Sequence, residues 1–268
     1  MRKTPSLTWL GQAGFFLESE GLRILVDPFL SDHEARLFAP PDATPFATDI
    51  DWVLVTHGHV DHFDKDFIRT VERHSPSATV VLPSPLVDEA SAVAPMLKVI
   101  GIRPGDRRFL SPVVGLHVIP AWHGSEVADG YTQGHTADGA SQYVGYVVRL
   151  PGCTVYHSGD TIITDELRAA LAVEQIDVAL LPVNGRDYYR ESMGLVGNMD
   201  AREAVRLASE LGIEMLIPMH WDMFAGNTIR PALVIDELPA DTTMHVLTPA
   251  RFVPIGLRGR EASAQRES

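Results

Sequence analysis

Residues 50–62 read IDWVLVTHGHVDH, an apolar run that gives way at once to three imidazoles and a carboxylate. The stretch Ile50–Thr56 has the composition of a buried strand, and its end delivers His57, His59, Asp61 and His62 to one place. Side chains crowded so closely after a strand end can turn towards a common point. Imidazole and carboxylate together suit zinc, and also iron or manganese where oxygen ligands are prominent. A solvated polar loop is the bland alternative, and the density of ligand types argues against it.

Outward from this cluster, the same device recurs. LHVIPAWH ends at His123, VYHSGD at Asp160 and MLIPMH at His220, each a polar residue closing an apolar strand. Alone, each fits a cap or a solvated tip. Beside the first cluster they become ligands. Short apolar runs at 7–10, 14–18 and 22–27, parted by Gly11 and Gly21, read as a strand meander. The proline-bearing stretch 30–49 reads as a surface loop. Helices are expected at 65–73, 87–96, 165–171, 201–211 and 231–238. Further strands are expected at 79–82, 97–102, 108–110, 114–120, 142–150, 153–157, 177–183, 215–218, 243–248 and 251–255. Residues 121–141 and 184–198 lack a period, and irregular segments of that length are often functional. Strands in both halves with helices between them permit sheets packed face to face with helices outside.

Composition sets the limits. A chain of 268 residues, 45% apolar and 21% charged, suits one domain over residues 1–256, followed by a polar tail at 257–268 expected to be disordered. The single cysteine, Cys153, reads as a buried strand residue and fits a reducing cytoplasm. The N-terminal apolar run is broken by Gln12 and Glu18, which argues for strands rather than an export signal. No run reaches the roughly 20 apolar residues needed to span a bilayer, so no membrane partner is expected. A net charge of −13 repels extended nucleic acid and leaves a small-molecule substrate as the expected partner. A homo-oligomer is compatible with all of this.

The order HGHVDH, a lone His, SGD and a final strand-end His resembles the metallo-β-lactamase superfamily over residues 7–255. That resemblance implies an α/β fold, a four-layer αββα sandwich with the site at one edge. It implies that His57, His59 and His123 hold one divalent metal, that Asp61, His62 and His220 hold a second, and that Asp160 bridges both. Zinc is the first expectation, with manganese or iron as alternatives. Within the superfamily, ILVDPF, THGHVDHFD, TVYHSGD, QIDVALLPVNG and LIPMHWDMF resemble the ascorbate-6-phosphate lactonase-like branch. Asp160 stands where some true β-lactamases use Cys, and His59 stands where diiron redox relatives carry Glu. The first feature argues against antibiotic hydrolysis and the second against a redox role.

The expected activity is therefore hydrolysis by a metal-bridged hydroxide, whose parent water is acidified from about 15.7 towards about 7. The substrate class expected is a lactone or related carbonyl ester, small, anionic and sugar-derived. Asp61 is the residue expected to handle the proton of the opened ring. A phosphodiesterase acting on a small diester is the second reading, and a non-catalytic metal-binding protein the third. Arg186, Tyr188 and Arg190 could grip an anionic group, with an ordinary solvated loop as the alternative. His135 is a further substrate-side expectation. Asp27 and His157 are expected to support ligands from behind, and Trp122, Trp221 and Phe224 either wall the pocket or pack.

Overall fold

The computed structural model describes residues 4–124, 139–185, 192 and 197–259. They form two sheets of seven strands each. The first contains β1 (Ser6–Gly11), β2 (Gly14–Ser19), β3 (Leu22–Val26), β4 (Trp52–Leu54), β5 (Thr79–Pro83), β6 (Lys98–Ile102) and β14 (Pro254–Gly256). Its spatial order is β14-β1-β2-β3-β4-β5-β6. The second contains β7 (Arg107–Ser111), β8 (Val114–Pro120), β9 (Val144–Leu150), β10 (Cys153–His157), β11 (Val178–Pro182), β12 (Met215–Met219) and β13 (His245–Val246). Its order is β13-β12-β11-β10-β9-β8-β7.

Period-two alternation explains why the sheets stack. Phe15 and Leu17 of β2, and Ile24 and Val26 of β3, face Tyr146 and Val148 of β9 and Val178 and Leu180 of β11 in one central core. The alternate residues Phe16 and Leu25 point the other way, into a second core. That core is covered by α1 (Lys65–His74) and α2 (Val87–Val93). Likewise Val147, Ala179 and Leu181 face α3 (Asp165–Leu171) and α4 (Ala201–Glu210). Val234 of α5 (Ala232–Asp236) joins that same core. The layers are thus helix, sheet, sheet, helix, the αββα sandwich that the resemblance implies.

Caps define where the helices start. Asp64 accepts from Phe67 N at 2.9 Å and also holds Leu30 N and Ser31 N, which ties the loop after β3 to α1. Asp200 and Glu203 form a capping box at α4.

Several bounds differ from the sequence expectation. The strand expected at 50–56 pairs only over Trp52–Leu54, because the apolar run continues past its last ladder partner. The strand expected at 243–248 shrinks to two residues at the edge of the second sheet. The strand expected at 251–255 falls at Pro254–Gly256 and pairs with β1. The expected disordered tail begins too early: Leu257 is buried in the central core and its N–H donates to Pro5 O at 2.7 Å. Residues 260–268 lie outside the described residues. Cys153 is buried in β10, and burial pushes its thiol up to about 12.

Candidate metal centre

The C-terminal ends of seven strands meet at one edge of the sandwich. β1 leads to Gln12, β3 to Asp27, β4 to His57, β8 to His123, β10 to Asp160, β11 to Asn184 and β12 to His220. The two sheets are fastened together there. Tyr146 donates its hydroxyl to Val55 O at 2.6 Å, and Val144 N donates to Thr56 O at 3.1 Å. Gly159 adopts a φ of +60°, and a Cβ in its place would meet Thr56 Cβ and Val144 O at 2.8 Å. Only glycine lets the SGD turn pass so close to the first cluster. Gln12, Asp27 and His220 also hold positive φ, at 51°, 45° and 62°. Three non-glycine residues in that region at one site mark a backbone bent to aim side chains.

All seven residues expected as ligands come together, in two sets. His57, His59, His123 and Asp160 form one, and Asp61, His62 and His220 the other, with the ligand atoms of each set within 4.8 Å of one another.

The first set is held as lone-pair donors. Thr56 gives its hydroxyl proton to Asp27 Oδ2 at 2.6 Å and receives the Nδ1 side of His57 at 3.1 Å, which turns His57 Nε2 inward. His123 Nδ1 donates to Gly197 O at 2.6 Å with the same result. His57 Nε2 and His59 Nδ1 stand 3.0 Å apart, a separation that suits two nitrogens on one small cation. Burial holds His57 and His59 below the usual imidazole range and His123 down at about 4, although Asp160 opposes it in all three. These imidazoles are neutral at pH 7.

The second set is ionic. Burial alone would neutralise His62 and His220, but Asp160 and Asp61 outweigh it. They raise His62 well above the usual range and His220 to about 9. In return, against burial, His62 and His220 hold the carboxyls of Asp61 and Asp160 well below theirs. His220 Nε2 lies 3.2 Å from Asp61 Oδ2 and 3.2 Å from Asp160 Oδ2. Asp27 Oδ2 takes His62 Nδ1 at 2.7 Å, which directs His62 Nε2 into the site.

Here the donor set fits a metal better than it fits protons. Among the described residues, His62 Nε2 and Asp160 Oδ1 are buried with no hydrogen-bond partner, facing each other at 3.3 Å without hydrogen-bond direction. Buried polar atoms are rarely left so, and two of them on opposed ligands are what a cation between them would satisfy.

The centre opens into a cavity of about 300 Å³. His59, Asp61, His123, Asp160 and His220 line it together with Asn184, Asn198, Asn227 and Phe224. Among the described residues, no lysine or arginine lines it. His135, Arg186, Tyr188 and Arg190 lie outside the described residues. Asp27 stands behind His62 and Thr56 as described. His157 acts on backbone instead: its Nε2 donates to Ala13 O at 2.8 Å and its Nδ1 accepts from Gly159 N at 3.1 Å, which braces the turn that presents Asp160. Of the three aromatic residues, Phe224 reaches the cavity. Trp221 instead stacks on Trp9 with ring centroids 5.1 Å apart, and Trp122 Nε1 donates to Glu166 at 3.1 Å.

Other residues of the site carry no motif. Gln12 Nε2 donates to Asp61 Oδ2 at 2.8 Å and approaches both His220 nitrogens at 3.1 and 3.2 Å. Tyr143 packs against His57 and His123 with centroids at 5.0 and 5.3 Å. Gln12 and Asn184 follow apolar strands as Asp160 and His220 do, and that placement was the available signal.

Comparison with known proteins agrees with this geometry. The model of the beta-lactamase superfamily domain matches residues 22–221. A UPF0173 metal-dependent hydrolase of Methanopyrus kandleri is 31% identical over 248 residues, 91% of this chain and 96% of that protein. A UPF0173 metal-dependent hydrolase of Pyrococcus furiosus is 32% identical over 230 residues, 84% of this chain and 88% of that protein. Among solved structures, Igni18, a metallo hydrolase from Ignicoccus hospitalis, superposes with a TM-score of 0.72 at 23% identity, covering 96% of this chain and 100% of that one. At that identity the likeness is one of fold.

Proposed function

The chain belongs to the beta-lactamase superfamily domain family, among the UPF0173 metal-dependent hydrolases, and from that membership we propose a two-metal hydrolase that opens a lactone or related carbonyl ester of a small sugar-derived substrate. The observation that carries this reading is the position of Asp160. Its Oδ2 lies 3.2 Å from His220 and 3.6 Å from His123, and its Oδ1 lies 3.3 Å from His62, so one carboxylate borders both sets.

His57, His59 and His123 would hold one cation, Asp61, His62 and His220 the other, with Asp160 between. When bound, two divalent cations, zinc first and manganese or iron as alternatives, supply Lewis acidity that acidifies water to near-neutral pKa and polarises a carbonyl. The protein does the rest by position. Asp27, Thr56 and Gly197 O fix the ring orientations of His62, His57 and His123 before anything binds. Gln12 holds Asp61 Oδ2 in place. Phe224 lines the cavity with an apolar ring, and a volume of about 300 Å³ is at the small end for ligand sites. Ring opening leaves an alkoxide that needs a proton, and the Asp61 carboxylate, which lines the cavity, would take that proton from the attacking hydroxyl and pass it on, ending as it began.

The lactonase-like assignment is supported by the local resemblance of THGHVDHFD, TVYHSGD and LIPMHWDMF to that branch. An anionic group on the substrate would find its cations at Arg186 and Arg190. The net charge of −13 disfavours a polynucleotide. Zinc- or manganese-loaded protein assayed on sugar lactones, phosphorylated sugar lactones, bis-aryl phosphates and cyclic nucleotides tests the reading. Turnover of lactones, lost in His59→Ala, is expected. Inert lactones with phosphodiester turnover would replace it with the second reading, and a protein that takes up no metal and turns over nothing would replace it with the third.

A further inference from the structure

The turn between β1 and β2 reads LGQAG at 10–14, and the chain after β12 reads HWDMF at 220–224. Each turns through a left-handed residue, Gln12 at a φ of 51° and His220 at 62°. Non-glycine residues keep that conformation where neighbours hold it. Gln12 is held at both ends of its backbone. Its N–H donates to Asp222 Oδ1 at 2.8 Å, across 210 residues of sequence. Its carbonyl accepts from His220 N and from Trp9 Nε1, both at 3.1 Å. Gly11, at a φ of +98°, lets the two turns meet, since a Cβ there would stand 3.0 Å from Met223 Cε.

Asp222 is itself anchored. Its side chain is 5% exposed, and a carboxyl buried to that degree needs both oxygens met. Oδ1 takes the Gln12 N–H, and Arg251 Nη1 donates to Oδ2 at 3.3 Å. The Arg251 guanidinium lies over the Phe38 ring, 3.7 Å from its centroid, which fixes the cation in turn. From this anchored peptide the Gln12 side chain reaches the second ligand set. Its Nε2 donates to Asp61 Oδ2 at 2.8 Å and stands 3.2 and 3.1 Å from His220 Nδ1 and Nε2. Asp61 follows a strand of the first sheet and His220 a strand of the second, so one glutamine sets the two ligands against each other.

We propose that Asp222, backed by Arg251, is a positioning residue for the second metal: it fixes the Gln12 peptide, and through Gln12 it sets where Asp61 Oδ2 and His220 Nε2 stand. Supports behind a ligand tune metal affinity by holding its orientation, and here the support is two steps removed. His57, His59 and His123 have other supports, at Thr56 and Gly197 O, so the effect belongs to the second set. The inference rests on the two-metal reading above, and deepens it by naming what holds one half of the centre in shape.

The test measures the affinity of each zinc equivalent by competition with a chelator, in wild type, Asp222→Ala, Asp222→Asn, Gln12→Leu and the Asp222→Ala, Gln12→Leu double variant. Asp222→Ala is expected to weaken the second equivalent by about 10–100-fold. The first should stay within about threefold of wild type. Asp222→Asn, which keeps an acceptor oxygen for the Gln12 N–H, recovers most of the loss. The double variant loses less than the product of the two single losses, because both act through one residue. No loss in Asp222→Ala, equal loss at both equivalents, no recovery in Asp222→Asn or fully multiplicative losses each overturn the proposal. If Asp222→Ala does not fold, Arg251→Met, which removes the ion pair and keeps a side chain over Phe38, is expected to weaken the second equivalent by at least about tenfold; an unchanged value there overturns it. If wild type takes up a single equivalent, the two-metal reading fails by itself, and amide hydrogen exchange of the metal-free protein decides the inference in whichever of these variants folds. Exchange of His220 N–H faster by at least about tenfold, with Ile68 N–H of α1 unchanged, supports the clamp. An unchanged His220 N–H, or equal acceleration of both, overturns it.

Discussion

The two ligand sets are built from the same side chains and stand side by side, yet they solve burial in opposite ways. His57, His59 and His123 are kept neutral by burial, with Thr56 and Gly197 O fixing two of the rings. His62 and His220 are kept charged by Asp61, Asp160 and, for His62, Asp27. The first set thus offers lone pairs without rearrangement. The second holds protons where a cation would sit, on His62 and His220, with the Asp61 carboxylate of its own set and Asp160 of the first beside them. The difference teaches that one centre can be organised for metal in one half and stabilised without it in the other.

Asp160 is where the halves join, and removing it should have the largest effect. Asp160→Ala is expected to lower activity by about 10³-fold or more and to leave less than the full complement of metal, measured by initial rates and elemental analysis. Loss confined to one metal with activity intact would break the joint between the halves. Next come the supports of the second set. Asp27→Asn and Gln12→Leu are each expected to cost about 10–100-fold in metal affinity, read by competition with a chelator. For Gln12→Leu a comparable loss at the first set would show that this support is not private to the second, whereas Asp27→Asn should also weaken the first, because Asp27 holds Thr56 beside His57.

Much of this was legible because it is local. His57, His59, Asp61 and His62 are neighbours in the chain, and an apolar run followed by a ligand names its own strand, as at Asp160 and His220. The layers followed from period-two alternation, as with Phe15, Phe16 and Leu17. Gln12 was hidden because a glutamine after a strand has no spectrum of metals to announce it, and its bond to Asp61 spans 49 residues. Asn198 was hidden for the same reason, and its bond to Asn184 spans 14 residues. The ends at Leu54 and Leu257 were misjudged because a strand stops where its partner stops, and apolar content does not record that.

The comparison also has a pH signature in the metal-free protein. Neutral burial of His57, His59 and His123 contributes stability that is lost as pH falls below the ordinary value of 6.5, for His123 down through about 4, since unfolded imidazoles then bind protons that the folded ones refuse. The raised His220 contributes stability present below 6.5 and lost as pH rises through about 9, and His62 acts in the same direction. Melting temperature without metal should therefore peak near 6.5, and a monotonic profile would remove one half of the contrast. The smallest expected effect on activity is that of Tyr146→Phe. It leaves Val55 O without its bond and should cost about 1–3 kcal/mol in a denaturant titration. Rates should stay within about threefold of wild type, because the hydroxyl touches no ligand.

The most direct measurement is a zinc titration of metal-free protein at pH 7, with bound metal and released protons followed together. Two equivalents are predicted, one bound with almost no proton release as His57, His59 and His123 engage, and one bound with release of about two protons as His62 and His220 give theirs up. A single equivalent, or equal proton release with each, would contradict the division of the centre into a neutral half and an ionic half.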